Sequence, residues 1–304
     1  MGSPEFAVPS LRQLHAQHTL VGVVTQPDRP SGRGKRLSEP AVKQAARELG
    51  LALIQPASLR QPEALSTLRA WSPDLVVVAA FGQILRKEVL EMPAHGCLNV
   101  HASLLPRHRG AAPVAAAILA GDEQTGVTIM QMDAGLDTGP IVAQREEPIL
   151  PDDTAGSLSR RLAQIGAALL LEALPGYLAG QIRPRPQDDS QATYARPLRK
   201  EDGLLNWGSP ATDLARRVRA YQPWPGAFAI WQGQPLKILR AHAASGFSAR
   251  PGLVLDQPGG IAVGTGHGAL VLEQVQPAGR RPMAATEFAR GARNFIGSDL
   301  AAVR

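Results

Sequence analysis

The sequence predicts two folded regions: an α/β domain with a Rossmann-like, mostly parallel sheet, then a small OB-like β-barrel. Three observations predict this. Short apolar runs alternate with helical patterns over the first half of the chain, the signature of a sheet with right-handed crossovers. A proline-rich, aperiodic stretch follows near residue 180. The last hundred residues then read as short strands separated by Gly-rich turns.

In order along the chain, LVGVVTQPD (20–28) reads as a Val-rich strand closed by a Pro-Asp turn. SEPAVKQAARELG (38–50) carries a Ser cap, a Pro in the first turn and a Gly stop, and reads as a helix. LALIQP is a second strand, and a helix follows from about Pro62 to Ala70. DLVVVAAFG (74–82) is the continuous apolar run of a strand covered on both faces. CLNVHAS is the next strand, and GAAPVAAAILAG (110–121) is an Ala-rich helix ended by Gly121. VTIMQMD (127–133) alternates as a strand with one polar face does, and IVAQREEPI resumes the extended pattern after the glycine-bounded loop GLDTGP (135–140). A helix from about Ser157 to Ala179 closes this part. The domain bounds read from these patterns are 1–182, a linker over 183–203, and 204–304 for the barrel.

Charge sharpens the division. Residues 1–202 carry 21 Lys+Arg against 21 Asp+Glu, whereas residues 203–304 carry 11 against 5, so the whole net charge of +6 belongs to the second region. Such a concentration suits a polyanionic partner. Cys97 is the only cysteine, which excludes an intramolecular disulfide and fits a reducing compartment. No run of eighteen apolar residues and no secretory signal occur, so a cytoplasmic protein without a membrane partner is expected, and a monomer. The scattered histidines lack metal-ligand spacing, and no metal is expected. No G-x-G-x-x-G follows the first strands, which argues against a dinucleotide site.

The chemistry concentrates in LNVHASLLPRHRG (98–110). Residues i and i+2 of a strand share a face, so Asn99 and His101 project together near the strand's carboxyl end, where α/β sheets form ligand crevices. An amide can stabilise an oxyanion, and an imidazole can move a proton. Asp137, inside GLDTG, supplies a carboxylate able to orient the ring. Read alone, a strand-end histidine is more often a satisfied polar residue, and Asp137 reads equally as an Asx residue stabilising its turn. Cys97 reads as a buried spacer, and Trp224, between prolines, as a structural anchor.

NVHASLLPRHRGAAPV followed by GVTIMQMDAGLDTGPIV resembles the signature of the 10-formyltetrahydrofolate-dependent formyltransferases. The likeness runs from TQPDRPSGRGKRL through YQPWPGAFA to VQPAGRRPM and covers nearly the whole chain. It implies a catalytic trio of Asn99, His101 and Asp137, with the folate beside Ser103, Leu104, Leu105 and Pro106. The implied acceptor is the α-amine of methionyl-initiator tRNA, in support of translation initiation. The basic loop DRPSGRGKR, with Arg29, Arg33, Lys35 and Arg36, is implied to meet the acceptor stem. Arg216, Arg217, Arg219, Lys237, Arg240, Arg280 and Arg281 are the candidates from the basic second region. Alternatives are another amine acceptor (glycinamide ribonucleotide or an amino-sugar nucleotide), a hydrolase releasing formate, and an inactive RNA-binding form. Members of the family begin with a strand of the type R-I-V-F-A-G before the segment matching GSPEFA, and the formyltransferase domain is expected to lack it here, leaving neighbouring strand edges exposed.

Overall fold

The computed structural model describes residues 1–31, 36–246 and 249–301. Its chain forms two compact units. The first comprises Met1–Pro113, Gln124–Pro148 and Leu158–Ala195; the second comprises Val114–Glu123, Ile149–Ser157 and the chain from Arg196 on.

In the first unit, α1 (Val8–Gln17) precedes β1 (Val23–Val24), and β2 (Arg29–Ser31) pairs antiparallel with β3 (Arg36–Ser38). Then come α2 (Ala41–Glu48), β4 (Leu53–Ile54), α3 (Pro62–Trp71), β5 (Val76–Val78), α4 (Lys87–Leu90), β6 (Cys97–His101) and β7 (Arg109–Gly110). After α5 (Pro113–Ala120), which from Val114 on belongs to the second unit, the first unit resumes with β8 (Gln124–Gln131), β9 (Ile141–Pro148), α6 (Ala155–Leu178), which belongs to it from Leu158 on, and β10 (Tyr194–Ala195). Local chemistry sets the boundaries. α2 buries Val42, Ala45 and Ala46, an i, i+3, i+4 stripe, and its chain turns at Gly50 with φ +66°. α3 starts with Pro62 in its first turn, where the missing N–H costs nothing, and ends at Ser72 in the left-handed region.

β1 pairs parallel with β4, and β5 pairs parallel with β6. The sheet then turns: β6–β8 and β8–β9 are antiparallel, giving the order β5-β6-β8-β9. Two expectations change here. The apolar run 20–28 is longer than its strand, because only residues 23–24 find a ladder partner in β4. β8 is buried on both faces from Thr125 to Met130, so its alternation does not mark a polar side: Thr125 and Thr128 bury hydroxyls instead of exposing them. Met1 and Gly2 run beside β1 and β5, the Gly2 N–H donating to Val24 O and Ala79 N–H to Met1 O. Next to them lies a largely apolar cavity of about 320 Å³ lined by Leu14, Leu20, Leu68, Trp71 and Leu174 among others.

α6 covers the sheet with a stripe that includes Leu158, Leu162, Leu169 and Leu170. Gly166 lies in this stripe where a Cβ would come within 2.7 Å of Val100 and 3.1 Å of Val127, so only glycine lets the helix approach the strands that carry the site. The stretch read as a linker is fastened to this unit as far as Ala195. β10 pairs parallel with β7, and Ile141 and Arg185 exchange backbone hydrogen bonds.

The second unit contains α7 (Ala211–Ala220), β11 (Phe228–Trp231), β12 (Gln234–Ala244), β13 (Val254–Gln257), β14 (Gly260–Gly264), β15 (Ala269–Pro277), β16 (Met283–Ala284) and α8 (Ala285–Gly291). Its sheet is antiparallel in the order β11-β12-β15-β14-β13, with β16 on β15. It curls around Trp207, Leu214, Ile238, Val254, Leu270 and Phe295 as an open half-barrel. The β11–β12 hairpin closes on Gln232-Gly233, both with positive φ, the two-residue turn whose twist matches the strands.

Gly166→Ala tests the seat of α6. Helix propensity alone favours alanine by about 1 kcal/mol, whereas overpacking against the stiff Val100 and Val127 costs about 1–3 kcal/mol. A lowered melting temperature is expected; a rise would show that the helix does not rest on these valines.

Candidate functional site

β6 ends the parallel part of the sheet, and its register against β8 sets Asn99 opposite Met130 and His101 opposite Thr128. Both side chains are buried, at 9% and 5% exposure. They share one face, because both reach the same carboxylate. Asn99 Nδ2 lies 3.4 Å from Asp137 Oδ1, and His101 Nδ1 lies 3.6 Å from Asp137 Oδ2. The Gly110 backbone N–H donates to Asp137 Oδ2 at 2.8 Å. The carboxylate is therefore a hub between β6 and β7.

The loop that presents Asp137 is built by its own sequence. Asp137 sits at φ +52°, an uncommon conformation for a residue with a Cβ. Asp133 Oδ1 accepts from the Gly135 N–H at 3.0 Å and from Thr138 Oγ1 at 2.7 Å, closing the turn from inside. A Cβ on Gly139 would lie 1.8 Å from Gln131 O, so the close approach of the loop to β8 requires glycine there.

His101 has a defined tautomer. Its Nε2 lies 3.0 Å from the His108 carbonyl, which can only accept, so Nε2 carries the proton. In the neutral ring Nδ1 is then a lone pair on the side of Asp137. Burial pushes the imidazole's pKa below its usual value, against the opposing pull of Asp137 and the His108 carbonyl. A neutral imidazole with a free Nδ1 is the chemistry of a general base. Asn99 has a second amide N–H beyond the one directed to Asp137.

The expected folate loop divides. Ser103 is fully buried and donates to Arg107 O at 2.6 Å, and Leu105 is packed with Met130 and Ile141, so neither side chain faces outward. Leu104 and Pro106 are partly exposed. Thr128 fixes this loop: its hydroxyl donates to Ser103 O at 2.7 Å and accepts from Leu105 N–H at 3.1 Å and Gln144 Nε2 at 3.0 Å. Sequence reasoning missed Thr128, Gln144, Asp133 and Gln187. A signal existed for Thr128 and Gln144: polar residues inside buried apolar strands need partners.

The basic residues separate between the units. In the first, Arg29 is exposed beside Gln26, with 2.9 Å from Nη2 to Oε1; the Arg36 backbone lies in β3, and Arg33 and Lys35 fall outside the described residues. In the second, Lys237 stands on β12 opposite Gln276, whose side chain donates to Arg280 O, so Lys237, Arg280 and Arg281 gather at one end of the sheet, all exposed. Arg216 and Arg217 lie on α7, where Arg216 pairs with Asp213 at 3.4 Å; Arg219 donates to Asp153 O, and Arg240 pairs with Glu273. Trp224 is 55% exposed, which overturns its reading as an anchor. Cys97 is buried, with its thiol pushed up to about 11 by desolvation, and is no nucleophile. Among the described residues no group of three His, Cys, Asp or Glu is placed to hold a metal, and no helix is long and apolar enough to cross a membrane.

A two-unit fold with a buried amide, imidazole and carboxylate at the end of a parallel strand defines a formyl transferase: residues 2–174 match the Formyl transferase family and residues 197–293 match Formyl transferase, C-terminal domain. Among similar proteins, the methionyl-tRNA formyltransferase of Roseiflexus castenholzii is 52% identical over 297 residues, covering 96% of this chain and 95% of that one. That of Myxococcus xanthus is 48% identical, covering 98% and 96%. The chain belongs to the methionyl-tRNA formyltransferase family. Solved structures share the fold at lower identity. WlaRD, a sugar 3N-formyl transferase solved with dTDP and 5-N-formyl-tetrahydrofolate, has a TM-score of 0.67 at 17% identity over 92% of this chain and 97% of that one. HypX from Aquifex aeolicus, in complex with tetrahydrofolic acid, has a TM-score of 0.58 at 20% identity over 77% and 42%.

Thr128→Val removes the hydroxyl at nearly constant volume. Each buried group left unpaired costs about 1–3 kcal/mol, so a loss of at least ~2 kcal/mol is expected in denaturant unfolding, since Ser103 O and the Leu105 N–H are stranded while Gln144 Nε2 keeps its bond to Leu105 O. An unchanged midpoint would mean that the loop is not tied through this hydroxyl.

Proposed function

We propose that the chain transfers the formyl group of 10-formyltetrahydrofolate to the α-amine of methionyl-initiator tRNA, acting as a cytoplasmic monomer in translation initiation. The observation that carries the reading is the convergence of Asn99 and His101 on the Asp137 carboxylate. The folate is assigned to the loop 103–106, through Leu104, Pro106 and loop backbone, because the Ser103 and Leu105 side chains are committed inward. Relatives at 47–52% identity over nearly the whole chain support the methionyl-tRNA acceptor over a nucleotide or sugar acceptor.

In this mechanism the neutral α-amine attacks the formyl carbon, forming the new C–N bond. Asn99 donates its second amide hydrogen to the oxygen as charge develops there. His101 Nδ1 takes the proton released by the amine, and Asp137 stabilises the resulting imidazolium. The proton then passes to N10 of the folate as the old C–N bond breaks. The Nε2 contact with the His108 carbonyl supports a reading in which Nδ1 is the basic end of the ring and Nε2 the fixed one. Tethering of the tRNA is assigned to Arg29, Arg33, Lys35 and Arg36 of the DRPSGRGKR segment and to Arg216, Arg217, Lys237, Arg280 and Arg281 of the second unit.

Formyl transfer to methionyl-initiator tRNA by the 304-residue chain tests the reading. His101→Ala is expected to lower kcat by about 10²–10⁴-fold, and Asn99→Ala by about 10²–10³-fold. Transfer that persists in His101→Ala sinks the mechanism; transfer to a sugar nucleotide in preference to the tRNA sinks the acceptor.

The pH dependence follows from the sign of the shift. His101 works unprotonated, and burial lowers its pKa, so beneath the acidic limb set by the substrate's own α-amine, about 7.7–8.0 for a free α-amino group, the further limb due to His101 is expected only below the ordinary imidazole value of 6.5. In Asp137→Asn the remaining activity is expected to fall at still lower pH, because the group that raises the pKa is gone. A second proton-dependent limb above 6.5, steepening the one set by the amine, would contradict the assignment.

Replacing Lys237, Arg280 and Arg281 together by alanine is expected to raise KM for the tRNA and leave KM for the folate unchanged. The log–log salt dependence should flatten by about 2–3 if each cation meets a phosphate. An unchanged salt slope would remove this end of the sheet from the tRNA surface.

A further inference from the structure

We propose that Gln187 is a positioning residue for the formyl transfer, holding the Asp137 loop against the Arg109 guanidinium so that the carboxylate faces His101. The geometry is unusually complete for one side chain. Gln187 Nε2 donates to Asp137 O at 2.8 Å and to Gly139 O at 2.7 Å, while its Oε1 accepts from Arg109 Nε at 3.0 Å and Nη2 at 2.8 Å. Two donors meet two carbonyls and the oxygen meets two guanidinium hydrogens, so the amide orientation is fixed by its partners.

Each contact acts on a different part of the hub. The bonds to Asp137 O and Gly139 O hold the chain from the left-handed residue itself, at φ +52°, through the two residues that follow it. Arg109 is 1% exposed and belongs to β7, whose Gly110 N–H binds the Asp137 carboxylate. Arg109 also donates to Asp189 Oδ1 at 2.7 Å. Gln187 thus joins the backbone of the carboxylate loop to the strand that grips the carboxylate, closing a ring through Asp137, Gly110 and Arg109. Its hydrogen bonds go to Arg109, Asp137 and Gly139 and not to His101, so its effect on the reaction runs through Asp137.

The kinetic arm of the test rests on the proposed function; the titration arm does not. Gln187→Met keeps the length and removes all four hydrogen bonds. Gln187→Asn keeps a neutral amide but, one methylene shorter, cannot reach Arg109 and both carbonyls together. Both are made in the full chain and compared with the wild type. A loss in kcat of roughly 10–100-fold is expected in each, with KM for both substrates nearly unchanged, as for a displacement of a catalytic group by about 1 Å. In parallel, the His101 imidazole is titrated by ¹⁵N NMR without substrates. A carboxylate that drifts away no longer opposes the effect of burial, so His101 should titrate at lower pH in both variants. If Gln187→Met fails to fold, Gln187→Asn, which retains a neutral polar group on the same element, carries the test. Lower kcat together with a lower His101 titration supports the proposal. An unchanged titration overturns it, whatever happens to kcat, since Asp137 would then be held without Gln187. A wild type that binds its substrates but transfers no formyl group, with the titration still lowered in the variants, overturns the proposed function and leaves the positioning role standing.

Discussion

The Asp137 carboxylate is the constraint on which the rest of the site depends. It accepts a 2.8 Å hydrogen bond from the Gly110 N–H, lies 3.4 Å from the Asn99 amide and 3.6 Å from His101 Nδ1. To be there the residue adopts a left-handed backbone, which costs an L-amino acid on the order of 1–2 kcal/mol. Hydrogen bonds to a charged group contribute about 1.5–3 kcal/mol each, so the Gly110 bond alone is of the size needed to hold the strained turn. Aspartate is also among the few residues for which that conformation is tolerable. The loop glycines follow from the same requirement: Gly139 allows the chain to pass Gln131 O, and Gly135 leaves room for Thr138 to close the turn on Asp133.

Much of this was legible in the sequence, and the boundary has a physical cause. Asn99 and His101 were readable because strand periodicity is geometric: two residues apart means one face, and the observed strand Cys97–His101 ends where the apolar pattern breaks. Asp137 was readable as a carboxylate between glycines able to orient His101, but strand periodicity could not choose that role over an Asx turn, because sequence separation says nothing about which strand a loop folds over. The helix at Ala41–Glu48 and the one at Pro113–Ala120 were marked by Pro starts and Gly stops. β8 misled because threonine reads as polar, while Thr125 and Thr128 are buried. Trp224 misled for the converse reason: flanking prolines suggest rigidity, and rigidity does not decide on which side of a surface a ring lies.

Residues 181–195 show a second limit. Composition marks them as a connector, rich in proline and charge and without period. Yet Arg185 joins the edge strand at Ile141, Thr193 meets His108 and Arg109, and Tyr194–Ala195 add a strand to Arg109–Gly110. A segment that buries little apolar surface can still be ordered when its polar groups satisfy polar groups that would otherwise be stranded. The aperiodic pattern is what such a role produces, because each residue answers to a different partner instead of to a repeating face.

The protonation state of His101 brings these strands of structure together. A buried imidazole is neutral by default, and a neutral imidazole has one donor and one acceptor, so fixing either nitrogen fixes the other. Here the fixed end is Nε2, held by a backbone carbonyl that no titration can alter. That carbonyl belongs to His108, in a left-handed conformation of its own, with its N–H bound to Thr193 Oγ1. The loop to which we assign the folate therefore also fixes the tautomer of His101. A carboxylate hydrogen-bonded directly to Nδ1 would compete with an incoming amine for the lone pair's position. At 3.6 Å, Asp137 is close enough to favour the imidazolium electrostatically and far enough to leave Nδ1 open. Holding a charge at that intermediate distance demands a rigid loop, which is why so many of the surrounding hydrogen bonds terminate on the backbone between Asp133 and Gly139.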